Sequence, residues 1–158
     1  FDVTYSISVI EHIYEGSTKA INEMIRVTKN DGYVYVTFPV SDHHKEVWFD
    51  TYVYSHQASK EGKSFFSYYF GEKEVTTMLN SLENVEIVRM DIFWEREAGL
   101  VDKVTKQLHN KFKNPYITFI KDVILNNYYG FHFFRSTPEK NFTHSKPFGN
   151  VHLLLRKK

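Results

Sequence analysis

Two adjacent pairs of polar residues carry the chemistry that is most easily identified in this chain. Glu11 is followed by His12, and His43 is followed by His44. A histidine exchanges a proton near neutral pH and a carboxylate can hold a polar substrate, so we predict His12 and Glu11 as catalytic residues. The alternative is that His12 bonds to the backbone while Glu11 caps a helix. We predict His43 and His44 as substrate contacts and no metal site, because adjacent side chains in an extended segment point apart.

The composition excludes several other classes of function. The chain has 158 residues, and its 20 lysines and arginines against 19 acidic residues argue against nucleic acid as a partner. No cysteine is present, which excludes disulfides, thiolate metal ligands and a cysteine nucleophile, and which is compatible with a cytoplasmic location. No apolar run reaches about 18 residues, so we predict no transmembrane segment.

The first part of the chain predicts a strand, a helix and a second strand. Residues 1–10 are rich in β-branched and aromatic residues, which is typical of a strand buried on both faces. Ser17 or Thr18 is the predicted N-cap of a helix whose apolar stripe ends near Val27. Residues 33–38 form the second predicted strand. We therefore expect one βαβ unit.

The next segment, residues 40–70, has no clear periodicity, so we predict an irregular loop. It is rich in aromatic side chains, among them Tyr68 and Tyr69. We predict that these side chains form the wall of a pocket for substrate, and the alternative is that they only pack the loop against the sheet.

The rest of the chain alternates between helices and strands. The predicted elements are a helix over 72–82, a half-exposed strand near a sheet edge over 85–91, helices over 97–112 and 114–128, and a last strand over 150–156. This order predicts a single α/β domain with a mostly parallel sheet and a helical insertion at 97–130. A lysine-rich face at 103–113 leaves contact with a membrane surface open.

Several motifs near the start of the chain stand in an order that resembles one family. Phe1-Asp2 opens the first strand, Glu11-His12 follows it, Arg26-Val27-Thr28-Lys29 ends the helix, and Asp31-Gly32 precedes the second strand. This pattern resembles the second half of the class I S-adenosylmethionine-dependent methyltransferases. The aromatic run at 66–70, which stands before a helix, is similar to a later segment of that family.

The resemblance implies a partial Rossmann-like sheet made of strands 4, 5, 6 and 7 of the family's seven. It also implies S-adenosylmethionine as the cofactor, with its methionine part against Ser6, Ile7 and Ser8, and a small-molecule, sugar or lipid-linked methyl acceptor. The family's glycine-rich turn has no counterpart, since the sequence contains no Gly-x-Gly. We therefore expect the chain to be the C-terminal half of a longer enzyme, inactive by itself and binding the cofactor weakly or not at all.

Two other interpretations stay open. The first is a non-enzymatic interaction module that pairs with another chain through the edge of its first strand. The second is half of a dehydrogenase-like Rossmann domain, which the Glu11-His12 turn and the helical insertion disfavour through the family resemblance. The methyl acceptor and the oligomeric state are not determined by the sequence.

Overall fold

A computed structural model describes residues 1–50, 58–97, 137–142 and 147–158. In chain order, the described elements are β1 (Val3–Ile7), a 3₁₀ turn (Ile10–His12), α1 (Ser17–Val27), β2 (Tyr33–Val40), β3 (Lys45–Phe49), β4 (Ser59–Lys60), β5 (Lys63–Tyr69), α2 (Glu72–Asn80), β6 (Val85–Trp94) and β7 (Gly149–Lys157). The helices predicted over 97–112 and 114–128 lie outside the described residues, as do almost the whole insertion at 97–130 and the lysine-rich face at 103–113.

Four strands form the main sheet in the order β1-β2-β7-β6. β1 and β2 are parallel, whereas β7 is antiparallel to both of its neighbours. The prediction of a mostly parallel sheet is therefore wrong for the strand pairs of the described chain. The direction of a strand depends on the end of the sheet at which the preceding chain arrives, and side-chain periodicity does not encode that end. β6 stands at an edge of the sheet, as predicted, and continues to Trp94.

Helix α1 packs on the main sheet through an apolar stripe. Ile21 and Ile25 are buried, as their helical spacing predicts. Gly16 is the N-cap, so the prediction of Ser17 or Thr18 at that position is wrong. The Ser17 hydroxyl instead donates a hydrogen bond to the Ile10 carbonyl at 2.8 Å, which ties the start of the helix to the 3₁₀ turn before it.

Gly32 lies where the two strands of the βαβ unit begin. A Cβ atom at this position would lie 2.8 Å from the carbonyl oxygens of Asp2 and Lys29. The Tyr33 amide donates to the Asp2 carbonyl at 3.0 Å, and the Lys157 amide donates to the Gly32 carbonyl at 2.9 Å. The starts of β1 and β2 and the end of β7 therefore meet too closely for a side chain.

Residues 40–70 contain a second sheet of three strands, so the prediction of an irregular loop is wrong. β5 is its central strand, with β3 and β4 antiparallel on either side. Ser67 lies opposite Val47 and Phe65 lies opposite Trp48, so Phe66 is the extra residue of a β-bulge. The bulge interrupts the alternation of side chains between the two faces, which hides the strand from a search for a two-residue period.

Strand β1 is shorter and more exposed than predicted. It spans Val3–Ile7 and stands at one end of the main sheet. Val3, Tyr5 and Ile7 alternate along it and are exposed, Tyr5 to 73%. The prediction that residues 1–10 form a strand buried on both faces is therefore wrong for the described structure, because no described element covers this face.

The buried apolar side chains form one cluster that joins the two sheets and both helices. Its largest fully buried members are Trp94, Phe38, Phe65, Ile10, Ile21, Ile92, Leu153 and Leu155. Among the helices in the described ranges, none has the length and apolar character needed to cross a membrane.

Candidate functional site

The carboxyl ends of the parallel strands β1 and β2 lie side by side, with Ile7 opposite Thr37. Ligands of open α/β sheets bind beyond this end of the strands. Ser8, the residue after β1, has a φ of 51°, which is uncommon for serine. Its amide donates to the carbonyl and hydroxyl oxygens of Thr37, each at 3.1 Å. This turn leads the chain from β1 directly to Glu11 and His12.

Ser6, Ile7 and Ser8, the residues predicted to contact the cofactor, occupy this end of β1. Ser6 is half-buried, whereas Ile7 and Ser8 are exposed. The exposed Ser8 hydroxyl and Ile7 side chain suit one side of a ligand that is part polar and part apolar, such as the methionine part of S-adenosylmethionine. The contact of Ser6, Ile7 and Ser8 with a cofactor stays a prediction.

His12 lies in the 3₁₀ turn, and its ring is held from the second sheet. Its Nδ1 is 2.6 Å from the carbonyl oxygen of Phe66. A carbonyl oxygen only accepts hydrogen bonds, so in the neutral ring Nδ1 carries the proton and Nε2 carries the lone pair. The two rings also meet edge to face, with centroids 4.9 Å apart. The backbone bond that was the alternative for His12 is thus present, and it leaves the basic lone pair of the neutral ring on Nε2.

The bulge in β5 makes this contact possible. An extra residue in a strand is turned out of the regular ladder, so the carbonyl of Phe66 can accept a hydrogen bond from a side chain. Nearby residues of β5 take part in different contacts, since Phe65 and Tyr68 both pack against the ring of Tyr14. The bulge therefore separates the ring held beside His12 from the aromatic cluster around Tyr14.

Glu11 is buried to a degree that is unusual for a carboxylic acid. It is 3% exposed, and its Oε2 has no hydrogen-bond partner among the described residues. Its Oε1 lies 3.9 Å from Nε2 of His12, beyond hydrogen-bond distance. Burial raises the pKa of this carboxyl, and its own backbone and the neighbouring His12 offset part of that rise. The alternative that Glu11 caps a helix is wrong, because neither the 3₁₀ turn nor α1 has a side-chain cap.

The four residues predicted as substrate contacts do not form one group. His43 is exposed, and its Nδ1 pairs with a neighbouring aspartate at 2.8 Å. Tyr69 packs edge to face on Phe148, with centroids 5.4 Å apart. His44 and Tyr68 do come together, with ring centroids 5.2 Å apart and planes inclined by 30°. The structure therefore brings His44 into ring contact with Tyr68, whereas His43 shares only a second open cavity with His44.

His44 and Tyr68 line an open cavity of about 580 Å³. Phe70 continues the aromatic wall, and Met78 of α2 adds a buried apolar side chain. The first turn of α1 and the first two turns of α2 border the opening. The cavity thus combines an apolar interior with a polar rim, as small-molecule sites commonly do.

Tyr68 connects this cavity to the turn that carries His12. Its hydroxyl accepts a hydrogen bond from the Glu15 amide at 3.2 Å. Burial raises the pKa of Tyr68, the bond from Glu15 lowers it, and the nearby Glu46 carboxylate raises it further. Tyr68 is therefore a neutral phenol at neutral pH and acts as a hydrogen-bonding group, not as a base.

Sequence reasoning missed Phe66, Phe70 and Glu15. Both phenylalanines belong to the aromatic run at 66–70, but a contact between residues 54 positions apart leaves no mark on the local pattern. As to metals, the described part of the chain contains no cluster of three or more histidine, aspartate or glutamate side chains that could hold an ion.

Comparison with known proteins gives a likeness of fold. The [4+2]-cyclase SpnF has a TM-score of 0.50 and 16% identity to this chain, and the match covers 99% of this chain and 50% of the cyclase. Coclaurine N-methyltransferase bound to N-methylheliamine and SAH has a TM-score of 0.44 and 13% identity, over 99% of this chain and 46% of the other. No family model and no curated protein matches. The chain thus spans about half the length of these solved structures, and the likeness to SpnF shows a shared α/β fold.

Proposed function

We propose that this chain is the C-terminal part of a longer S-adenosylmethionine-dependent methyltransferase and that it supplies the acceptor side of the active site. The observation that carries the proposal is the position of His12, which follows the carboxyl end of β1 and is oriented through Nδ1 by the Phe66 carbonyl. The order of motifs in residues 1–39 and the fold shared with SpnF support it.

In this proposal, β1, β2, β6 and β7 correspond to strands 4, 5, 6 and 7 of the family. The remaining strands and the glycine-rich turn would come from a part of the protein outside these 158 residues. The coverage of only 50% of the SpnF chain supports this division. The enzyme would be cytoplasmic, in line with the absence of cysteine, and would not need nucleic acid as a partner.

His12 is the proposed base. S-adenosylmethionine supplies a methyl group activated by its sulfonium, and the backbone at Ser6, Ile7 and Ser8 would contact its methionine part. Nε2 of His12 would take the proton of an acceptor hydroxyl or amine as the acceptor bonds to the methyl carbon, while the methyl–sulfur bond breaks and a neutral thioether leaves. The imidazolium that results lies 3.9 Å from Oε1 of Glu11, and a carboxylate at this distance stabilises its charge.

The acceptor is proposed to be a small molecule, a sugar or a lipid-linked group. His44 and Tyr68 would contact it, because they line the cavity beside the Glu15 amide. His43 and Tyr69 remain proposed contacts, although neither residue lines this cavity.

One observation favours a second candidate, a non-enzymatic interaction module. Val3, Tyr5 and Ile7 form an exposed apolar row on an edge strand, which is a template for pairing with another chain. The gene distinguishes the two candidates. Coding sequence upstream of Phe1 with a strand, a Gly-x-Gly turn and a helix supports the enzyme, and a start codon directly before Phe1 supports the module.

Calorimetric titration with S-adenosylmethionine tests the proposed enzyme. We expect the 158-residue chain to bind weakly or not at all, because it holds one side of the cofactor site, and the full-length protein to bind at micromolar concentration. Micromolar binding by the chain alone would contradict the division of the site. Absence of binding by the full-length protein would contradict the proposal that it is a methyltransferase.

A further inference from the structure

We propose that the Tyr68 hydroxyl is a positioning group for His12, because it fixes the turn that carries this histidine against the second sheet. The turn runs from Ser8, which follows β1, to Ser17, the first residue of α1. Three features carry the inference: the hydrogen bonds inside the turn, the backbone conformation of Glu15 and the rigid surroundings of the Tyr68 ring.

Backbone hydrogen bonds close the turn on itself. The His12 amide donates to the Val9 carbonyl at 3.0 Å, and the Ile13 amide donates to the Ile10 carbonyl at 3.2 Å. The Gly16 amide donates to the Ile13 carbonyl, also at 3.2 Å. Because these bonds overlap along the chain, the turn moves as one body, and a displacement near Gly16 is transmitted to His12.

Glu15 has a backbone conformation that requires support from its surroundings. Its φ is 50°, in the left-handed region, which few residues other than glycine adopt. Such a conformation persists where neighbouring contacts determine it. The Tyr68 hydroxyl supplies a contact of this kind, since it accepts the hydrogen bond of the Glu15 amide at 3.2 Å.

The ring of Tyr68 is itself held firmly, with only 8% of the residue exposed. It stacks on Tyr14 with the planes inclined by 17°, and its centroid lies 4.6 Å from that of Phe65 and 5.5 Å from that of Phe70. A side chain packed among three rings has little freedom to follow a moving turn. The hydroxyl is therefore a fixed point of the second sheet.

Strand β5 thus contacts the turn at two polar points, through the Phe66 carbonyl at His12 and through the Tyr68 hydroxyl at Glu15. One hydrogen bond leaves a body free to pivot about it, whereas two bonds at separate points fix its orientation. Without the Tyr68 hydroxyl, we expect the turn to pivot and the bond from Nδ1 of His12 to lose its alignment. Hydrogen bonds weaken steeply as they depart from a straight line.

The tautomer of the neutral His12 ring measures this alignment, because the hydrogen bonds of the two ring nitrogens decide which of them carries the proton. The full-length protein is studied by ¹⁵N NMR of the imidazole, without cofactor or acceptor. Tyr68→Phe keeps the ring and removes the hydroxyl. We expect the ratio of rings with the proton on Nδ1 to rings with the proton on Nε2 to fall about twofold to tenfold, which is the range of one hydrogen bond.

Tyr35→Phe is the matched control. It also removes a hydrogen-bonded tyrosine hydroxyl, 2.6 Å from Nδ1 of His152, but this pair lies in the main sheet. We expect the tautomer ratio of His12 to stay unchanged in this variant. An unchanged ratio in folded Tyr68→Phe would overturn the inference, as would an equal change in Tyr35→Phe. Circular dichroism establishes that each variant is folded.

Amide hydrogen exchange tests the bond in the unmodified protein and so does not depend on the folding of a variant. We expect the Glu15 amide to exchange about tenfold more slowly than an unbonded amide in the same local sequence. Exchange at the rate of an unbonded amide would overturn the inference, because the Tyr68 hydroxyl would then not hold the turn.

The role of His12 as a base rests on the proposed function, but the positioning of its ring does not. Methyl transfer from S-adenosylmethionine is therefore assayed separately. If the tautomer depends on Tyr68 and the protein transfers no methyl group to any acceptor, the proposed function is overturned and the positioning inference stands. If His12→Asn abolishes methyl transfer but Tyr68→Phe leaves the tautomer ratio unchanged, the reverse holds.

Discussion

Nδ1 of His12 lies 2.6 Å from the carbonyl oxygen of Phe66, although the two residues are 54 positions apart in the chain. The contact joins the turn after β1 to the bulge of β5 and leaves the lone pair of the imidazole on Nε2. It links the second sheet to the turn that carries the proposed base.

His12→Asn tests the proposed base. The asparagine amide can still donate a hydrogen bond to Phe66, but it cannot take a proton, so we expect methyl transfer to fall by about 10²–10⁴-fold with little change in unfolding temperature. His12→Ala removes both functions and should lower stability as well. Full methyl-transfer activity in a folded His12→Asn protein would show that the residue has only a structural role.

Glu11→Gln tests the buried carboxyl through its pH dependence. Because burial raises the pKa of Glu11 in the folded state, ionisation opposes folding as the pH increases through that raised pKa. We therefore expect Glu11→Gln to be more stable than the unmodified protein at pH 7, with a difference that disappears below about pH 4, where the carboxyl is protonated in both states. Thermal unfolding between pH 4 and 8 measures this difference in stability. A gain in stability that does not vary with pH would contradict the raised pKa of Glu11.

Asp91 is expected to show the opposite behaviour. The hydrogen bond from Lys140 lowers the pKa of this carboxyl, and Arg89 contributes in the same direction against the effect of burial. Its stabilising contribution is therefore present above the unfolded-state pKa, near pH 4, and is lost as the pH falls through the lowered value in the folded state. Asp91→Asn should be less stable than the unmodified protein at pH 7 and should approach it below pH 3. A constant difference across this range would contradict the ion pairs.

Gly32→Ala tests the close approach of the strands in the βαβ unit. The added Cβ would lie 2.8 Å from two backbone oxygens, which cannot move without displacing β1 and the end of α1. We expect a loss of about 1–3 kcal/mol in the free energy of unfolding, the usual range for overpacking. Asn30→Ala, at an exposed position in the same turn, is the control and should change stability by less than about 0.5 kcal/mol. Equal effects of the two substitutions would show that the strands have room to separate.

The elements with regular side-chain spacing could be predicted closely. The buried positions Ile21 and Ile25 of α1 follow from a helical period, and α2 begins at Glu72 as predicted. The turn at Asp31-Gly32 was likewise predictable from residue type. Each of these features depends on neighbours within a few positions, so the information lies in the local pattern.

The second sheet and the exposed face of β1 could not be predicted in this way. The bulge at Phe66 breaks the period of β5, and the aromatic residues on both of its faces resemble the composition of a packed loop. The exposure of Tyr5 depends on which elements cover the sheet, and an apolar strand has the same sequence whether it is covered or not.

For the candidate site, the sequence by itself determined that Glu11 and His12 follow a strand. It also determined that several histidines and tyrosines lie within residues 43–70. Only the tertiary structure decided that His44 meets Tyr68 whereas Tyr69 packs against Phe148, and that His12 is held by Phe66. The physical reason is the two-residue period of a strand, in which neighbouring side chains face opposite sides and one bulged residue changes the alternation. Pairing across such distances is set by register and packing, which no local pattern of residues specifies.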